Sequence, residues 1–278
     1  MPSSARPVRV FFGSLTLLLA AGCGSDEDSG VNISDGPSGN PQQGIGATGS
    51  VPIQTPGISG ATGSGGASSC NPRATGRLRD FKAAHPDFED VIATEEGIVL
   101  PDLGLPDRKP VFSASAALRT THAQADFDQW YRDVPGVNEA FDHTIQFTQG
   151  QNGRAIYDDS SFFPLDDRGF GNEGNNHNFH FTFELHMTFK YNGGEVFSFR
   201  GDDDVFVFVN NKLAIDLGGV HGALEKTLDL DSDAARLGIT KGSEYPIDFF
   251  HAERHTSQSN FRIETTLAFT NCAPIIIP

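Results

Sequence analysis

The chain of 278 residues carries 20 Lys and Arg against 36 Asp and Glu, a formal charge of −16. A field of that sign repels phosphate backbones and anionic lipid, so nucleic-acid binding has no electrostatic footprint here. There are 31 Gly and 16 Pro, and every Phe beyond the first twelve residues falls between Phe81 and Phe269, which points to a turn-rich β protein rather than a helical one.

Arg6 and Arg9 precede an apolar run from Val10 to Leu19. The run is too short to span a bilayer as a helix, but it has the length and flanking charge of a secretory signal. It closes on Leu19-Ala20-Ala21-Gly22-Cys23, which resembles the lipobox of bacterial lipoproteins, with Leu one place further from the cysteine than in the commonest form. That resemblance implies a leader over residues 1–22, an acylated Cys23, and a protein at the outer membrane or cell surface of a bacterium. Lipid chains would then be its only hold on the membrane. An ordinary signal peptide with an incidental cysteine is the alternative.

From Gly24 to Ser69 there is no aromatic residue and no Lys, Arg or His, and Gly-Ala-Thr-Gly-Ser occurs at Gly46–Ser50 and again at Gly60–Ser64. Such a stretch buries too little apolar surface to offset chain entropy, so residues 23–69 read as a tether spanning roughly 35–40 Å. Cys70 and Cys272 bracket everything with a folding pattern. In an exported chain they read as a disulfide closing a domain over residues 70–272, with 273–278 as a tail; two free buried thiols are the alternative.

Within the domain, Thr121-His122-Ala123-Gln124 has the form of a capping box opening a helix through Trp130, halted by Pro135-Gly136. From Phe179 to Tyr191, apolar residues fall at every second position, which predicts a strand with one buried face. Asn192-Gly193-Gly194 is a hairpin signal returning the chain through Val196, Phe197 and Phe199. Val205–Val209 is apolar on both faces and predicts a central strand, and Asn210-Asn211 suits a turn needing positive φ. A short helix is expected over Asp231–Leu237, capped by an Asp and stopped by Gly238. Alternation in Tyr245–Phe249 and in Phe261–Phe269 adds further strands. The fold class expected is all-β, a two-sheet antiparallel, jelly-roll-like sandwich with a few short helices.

Six stretches resemble the fibro-slime domain: Phe127–Asn138, Phe162–Asp166, His177–Phe181, Gly201–Val205, Leu217–His221 and Asp248–His255. The likeness runs from about Ala74 to Phe269. This family occurs in surface proteins of fibre-degrading and gliding bacteria and in secreted slime-mould factors, and it is related to the protective-antigen-type β-sandwich. In the sugar-binding members of that wider group, two adjacent Asp joined by a cis peptide hold a calcium ion, which in turn holds sugar hydroxyls. The resemblance puts that pair on Asp202 and Asp203, whereas relatives usually have Gly where Asp204 stands.

The residues support the same chemistry on their own terms. In an extended chain neighbouring side chains point to opposite faces, so Asp202 and Asp203 can share an ion only if the bond between them is cis. Three carboxylates in a row repel, and an all-oxygen set suits calcium. The expected metal set is Asp202, Asp203 and Asp204 with an oxygen from Asn260; a solvated acidic turn is the alternative. His251, Glu253 and His255 would share a face of a strand. With no further ligand in sight they are not expected to form a catalytic zinc centre. Together with Arg254 and His221 they are expected to contact ligand. No nucleophile or phosphate-loop motif occurs. A carboxylate pair for glycoside hydrolysis could come from Asp158, Asp159, Asp166 and Asp167. Three functions follow in order of preference: a calcium-dependent binder of surface polysaccharide or a glycosylated partner, a non-binding matrix protein, and a metal-dependent glycan hydrolase. The first two are not enzymes.

Overall fold

The domain was analysed as a computed structural model that describes residues 73–114 and 117–270. Cys23, Cys70 and Cys272 lie outside the described residues, as do the leader and tether. Among the described residues no helix is long and apolar enough to cross a membrane.

Two antiparallel sheets face each other. The larger runs, in spatial order, Glu139–Gln146, Arg73–Asp80, Phe181–Lys190, Glu244–Glu253, Asp204–Val209 and Lys212–Leu217, with Ala268–Phe269 also pairing to Phe181–Lys190. The smaller runs Leu224–Asp229, Val196–Gly201, Phe261–Thr265, Ala155–Asp159 and Thr148–Gln149. The sandwich read from the alternation is therefore present. Phe183, Leu185 and Phe189 meet Phe199, Phe261 and Ile263 across the inter-sheet core.

The expectation of one buried face on Phe181–Lys190 is corrected, because Thr182, Glu184 and His186 are buried as well. The chain between the first two long strands folds over the outer face of the large sheet. There Phe127, Trp130, Tyr131 and Ile98 pack with Phe206, Phe208 and Phe250 in a second core. The polar members of that face are paired. Lys109 Nζ lies 2.8 Å from each oxygen of Glu184, Arg79 donates to Glu184 at 3.1 Å, and His186 Nδ1 lies 2.7 Å from Asp248.

Two further readings change. Asn192-Gly193-Gly194 makes no hairpin, because Phe181–Lys190 belongs to the large sheet and Val196–Gly201 to the small one. The turn is a crossover, held by Glu195, whose two carboxylate oxygens each accept a backbone N–H at 2.7 Å, from Asn192 and Gly193. The helix expected to run to Trp130 stops early, spanning only Gln124–Phe127 with Ala123 at its N-cap and no side-chain cap. Trp130 is instead drawn into the second core, where its Nε1 donates to Asp87 at 3.0 Å. The later helix spans Leu230–Leu237, with Asp229 accepting from Ser232 N and Gly238 at φ 65° ending it. At Asn210 and Asn211 φ is 51° and 61°, as the turn between two antiparallel strands requires.

Candidate functional site

Two crossovers between the sheets run side by side at one end of the sandwich. The chain leaves the small sheet at Gly201 and enters the large one at Asp204; it leaves the large sheet at Glu253 and returns to the small one at Phe261. Asp204 pairs with Ala252 and Gly201 with Phe261, so the connections 202–203 and 254–260 are neighbours. Gly201 is required there, since a Cβ would fall 2.5 Å from the Asn260 carbonyl oxygen.

The bond between Asp202 and Asp203 is cis, and both side chains line one cleft of about 150 Å³. Its other walls include His221, His255, Ser257 and Gln258, with Ile92 and Val220 forming an apolar side, and no lysine or arginine among them. Each carboxylate is fixed from the protein side. Asp202 accepts from the backbone N–H of Asn260 and, at 2.9 Å, from its side-chain amide. Asp203 accepts from the backbone N–H groups of His221 at 3.0 Å and Arg254 at 3.1 Å. These bonds set the direction of the side chains and leave oxygen lone pairs uncommitted.

At and below the cleft, acidic side chains are crowded and buried. Burial, opposed by Arg254 and reinforced by Asp204, pushes the Asp203 carboxyl up to about 8. Glu253 is fully buried and raised well above the usual carboxylate range, first by burial and then by Asp203 and Asp202. Neither of its oxygens makes a well-formed hydrogen bond.

The remaining expected residues divide by placement. Asp204 does not line the cleft. Its carboxylate is gripped by Arg254 through Nε at 2.6 Å and a second nitrogen at 3.1 Å, and it accepts from Gly219 N at 2.6 Å. Arg254, expected to meet ligand, is entirely buried. It also donates to the carbonyls of Asp87 and Thr120, and its guanidinium sits 4.6 Å from the Trp130 ring. His251 is buried too; its Nε2 donates to the Asp202 carbonyl at 2.7 Å, and burial lowers its pKa. His251 and Glu253 thus support the cleft from beneath, while His221 and His255 line it. Among the described residues no group of three or more His, Cys, Asp or Glu is arranged to hold a metal ion. Asp158 is taken up by Arg262 and Asp166 by His177.

Sequence reasoning passed over Ile92, Gln258 and the anchoring residues Asp87 and Glu89. Glu89 accepts the Thr256 backbone N–H at 3.0 Å and so ties down the cleft loop from 167 positions away. No periodicity or motif marks such a partner.

A model of the PA14 domain matches residues 133–276, a little over half of the chain. Among curated proteins, psiD of Dictyostelium discoideum is 43% identical over 189 residues, covering 63% of this chain and 36% of psiD. Protein psiQ of the same organism is 40% identical over 209 residues, covering 70% of this chain and 20% of psiQ. The chain thus spans between a fifth and about a third of these relatives. Among solved structures, a PA14 sugar-binding domain from an RTX adhesin is 15% identical, with 42% of this chain and 73% of that one covered and a TM-score of 0.26. The PA14 domain of the MpAFP antifreeze protein is 10% identical, with 40% and 63% covered and the same TM-score of 0.26.

Proposed function

The chain belongs to the PA14 domain family, and from that premise we propose that it is a carbohydrate-binding or adhesion module holding its sugar through calcium at Asp202 and Asp203. The observation that carries this reading is the pair of nearly buried carboxylates lining one cleft that has no lysine or arginine in its walls. Burial first, and neighbouring carboxylates after it, keep Asp203 and Glu253 partly protonated unless a cation offsets both costs. Oxygens are the donors assigned to the ion, which suits a hard cation: the two carboxylates of the cleft and the amide oxygen of Asn260, which lines the adjoining cavity. When bound, calcium supplies coordination positions that sugar hydroxyls can occupy. Within the family, the motif set supports a fibro-slime domain. Export, with a lipid on Cys23 and surface or matrix polysaccharide or a glycosylated partner as target, belongs to the same proposal. Cleavage does not: this is a binding module, not an enzyme.

Calcium at a hundredfold excess over its Kd is expected to add about 2.7 kcal/mol to apparent stability. Asp203→Asn should abolish that increment, whereas Asp204→Asn should lower stability with or without the ion, because it weakens the pair with Arg254. Protons compete with the ion for Asp203, so apparent affinity should fall as pH drops below about 8. The sign for the ion-free domain is opposite. A carboxyl raised in the folded state contributes stability that is complete below the unfolded value near 4 and lost as pH rises through about 8. Thermal melting and calorimetry in calcium and in EDTA check all three; no calcium heat and no change in melting would overturn the reading.

A further inference from the structure

The cleft at the Asp pair has two neighbours. Through Ser257 and Gln258 it shares walls with a second cavity of about 260 Å³, which in turn shares Ser161 and Phe163 with a third of about 140 Å³. In the middle cavity the rings of Phe163 and His177 lie parallel, with centroids 3.9 Å apart and 5° between planes. Both side chains are partly exposed. The plate is held in place: His177 Nδ1 lies 2.6 Å from Asp166, whose other oxygen accepts Asn178 N at 2.8 Å, and Phe179 meets Phe163 edge-on at 5.1 Å. Around it stand hydroxyls and amides from Ser160, Ser257, Gln258 and Asn260, with no lysine or arginine.

On the reading that the Asp pair holds a sugar, we propose that these cavities form one groove for an oligosaccharide, in which the sugar ring beyond the first packs on the outer face of the Phe163–His177 plate, the inner faces of the two rings being covered by each other. A sugar ring has a flat C–H face and a rim of hydroxyls, which is what a rigid aromatic surface set among neutral polar groups recognises. A phosphorylated or acidic ligand would find no lysine or arginine in the middle cavity. A wholly apolar ligand would leave its amides and hydroxyls unpaired. Because the plate is fixed before the ligand arrives, stacking loses little side-chain entropy.

The test is calorimetric titration of the full chain in calcium with gluco-, galacto- and manno-oligosaccharides of one to four rings. In a series whose monosaccharide binds, the second ring is expected to tighten binding about three- to tenfold. In His177→Ala, and independently in Phe163→Leu, the ratio of tetrasaccharide to monosaccharide affinity should fall towards one. Longer sugars that bind no better than the monosaccharide, or a length gain that survives both substitutions, would overturn the groove and leave the Asp-pair reading standing. If no sugar of any length binds while calcium does, the sugar reading itself has failed and the groove falls with it.

Discussion

Arg254→Ala is expected to destabilise the domain by about 3–5 kcal/mol, the cost of leaving a buried charge without its partner. Asp204 is fully buried and, without Arg254, retains only the Gly219 N–H. The carbonyls of Asp87 and Thr120 lose their donors in the same step, and Trp130 loses the cation over its face. Arg254→Lys should recover only part of the loss, because an ammonium cannot reproduce the two-pronged contact to Asp204 or reach both carbonyls. Denaturant unfolding measures both variants. A loss below about 1 kcal/mol for the alanine variant, within the range of an exposed pair, would show that the cluster is dispensable.

The second large effect lies on the far face of the large sheet. Burial would raise Glu184, but the His186 imidazole 3.8 Å away and the charges of Arg79 and Lys109 hold it down at about 2. A carboxyl depressed in the folded state contributes stability that is complete above its unfolded value near 4.5 and is lost as pH falls through about 2. The shift corresponds to about 3 kcal/mol. Glu184→Leu should therefore cost about 3–5 kcal/mol at neutral pH, since it strands the buried Lys109 and leaves the buried Arg79 with only its bond to Asp133. Glu184→Gln should in addition flatten the decline of stability between roughly pH 5 and 2. Unfolding free energy measured against pH for wild type and variant decides it, and parallel profiles would sink the assignment.

Much of the fold was legible because local rules and tertiary packing agree. Phe181, Phe183, Leu185, Met187 and Phe189 alternate in the sequence and all enter the inter-sheet core. Val205–Val209, apolar at every position, lies between two strands with both faces covered. Asn210-Asn211 and Gly238 adopt the positive φ that their residue types favour, and Asp229 caps the helix it precedes. At the candidate site, the acidic run and the segment ending in His255 stood out by composition alone.

What the tertiary structure decided is which partner each polar residue meets. The Thr182, Glu184 and His186 alternation looks solvent-facing, and it is buried because a distant segment covers it, bringing Lys109 to Glu184, Arg108 to Asp248 and the Trp130 carbonyl to Thr182. Asn192-Gly193-Gly194 has hairpin chemistry, yet strand pairing sends Val196–Gly201 to the other sheet. Three successive aspartates look equivalent, but Asp202 and Asp203 line the cleft while Asp204 turns to Arg254, fifty positions on. The Phe163–His177 plate joins residues fourteen apart with no shared period. Periodicity, capping and turn preference act over a few residues and can be read along the chain. Ion pairs, ring stacking and crossovers depend on where the folded backbone brings remote segments together, and that is settled only by the packing of the two sheets and the covering segment.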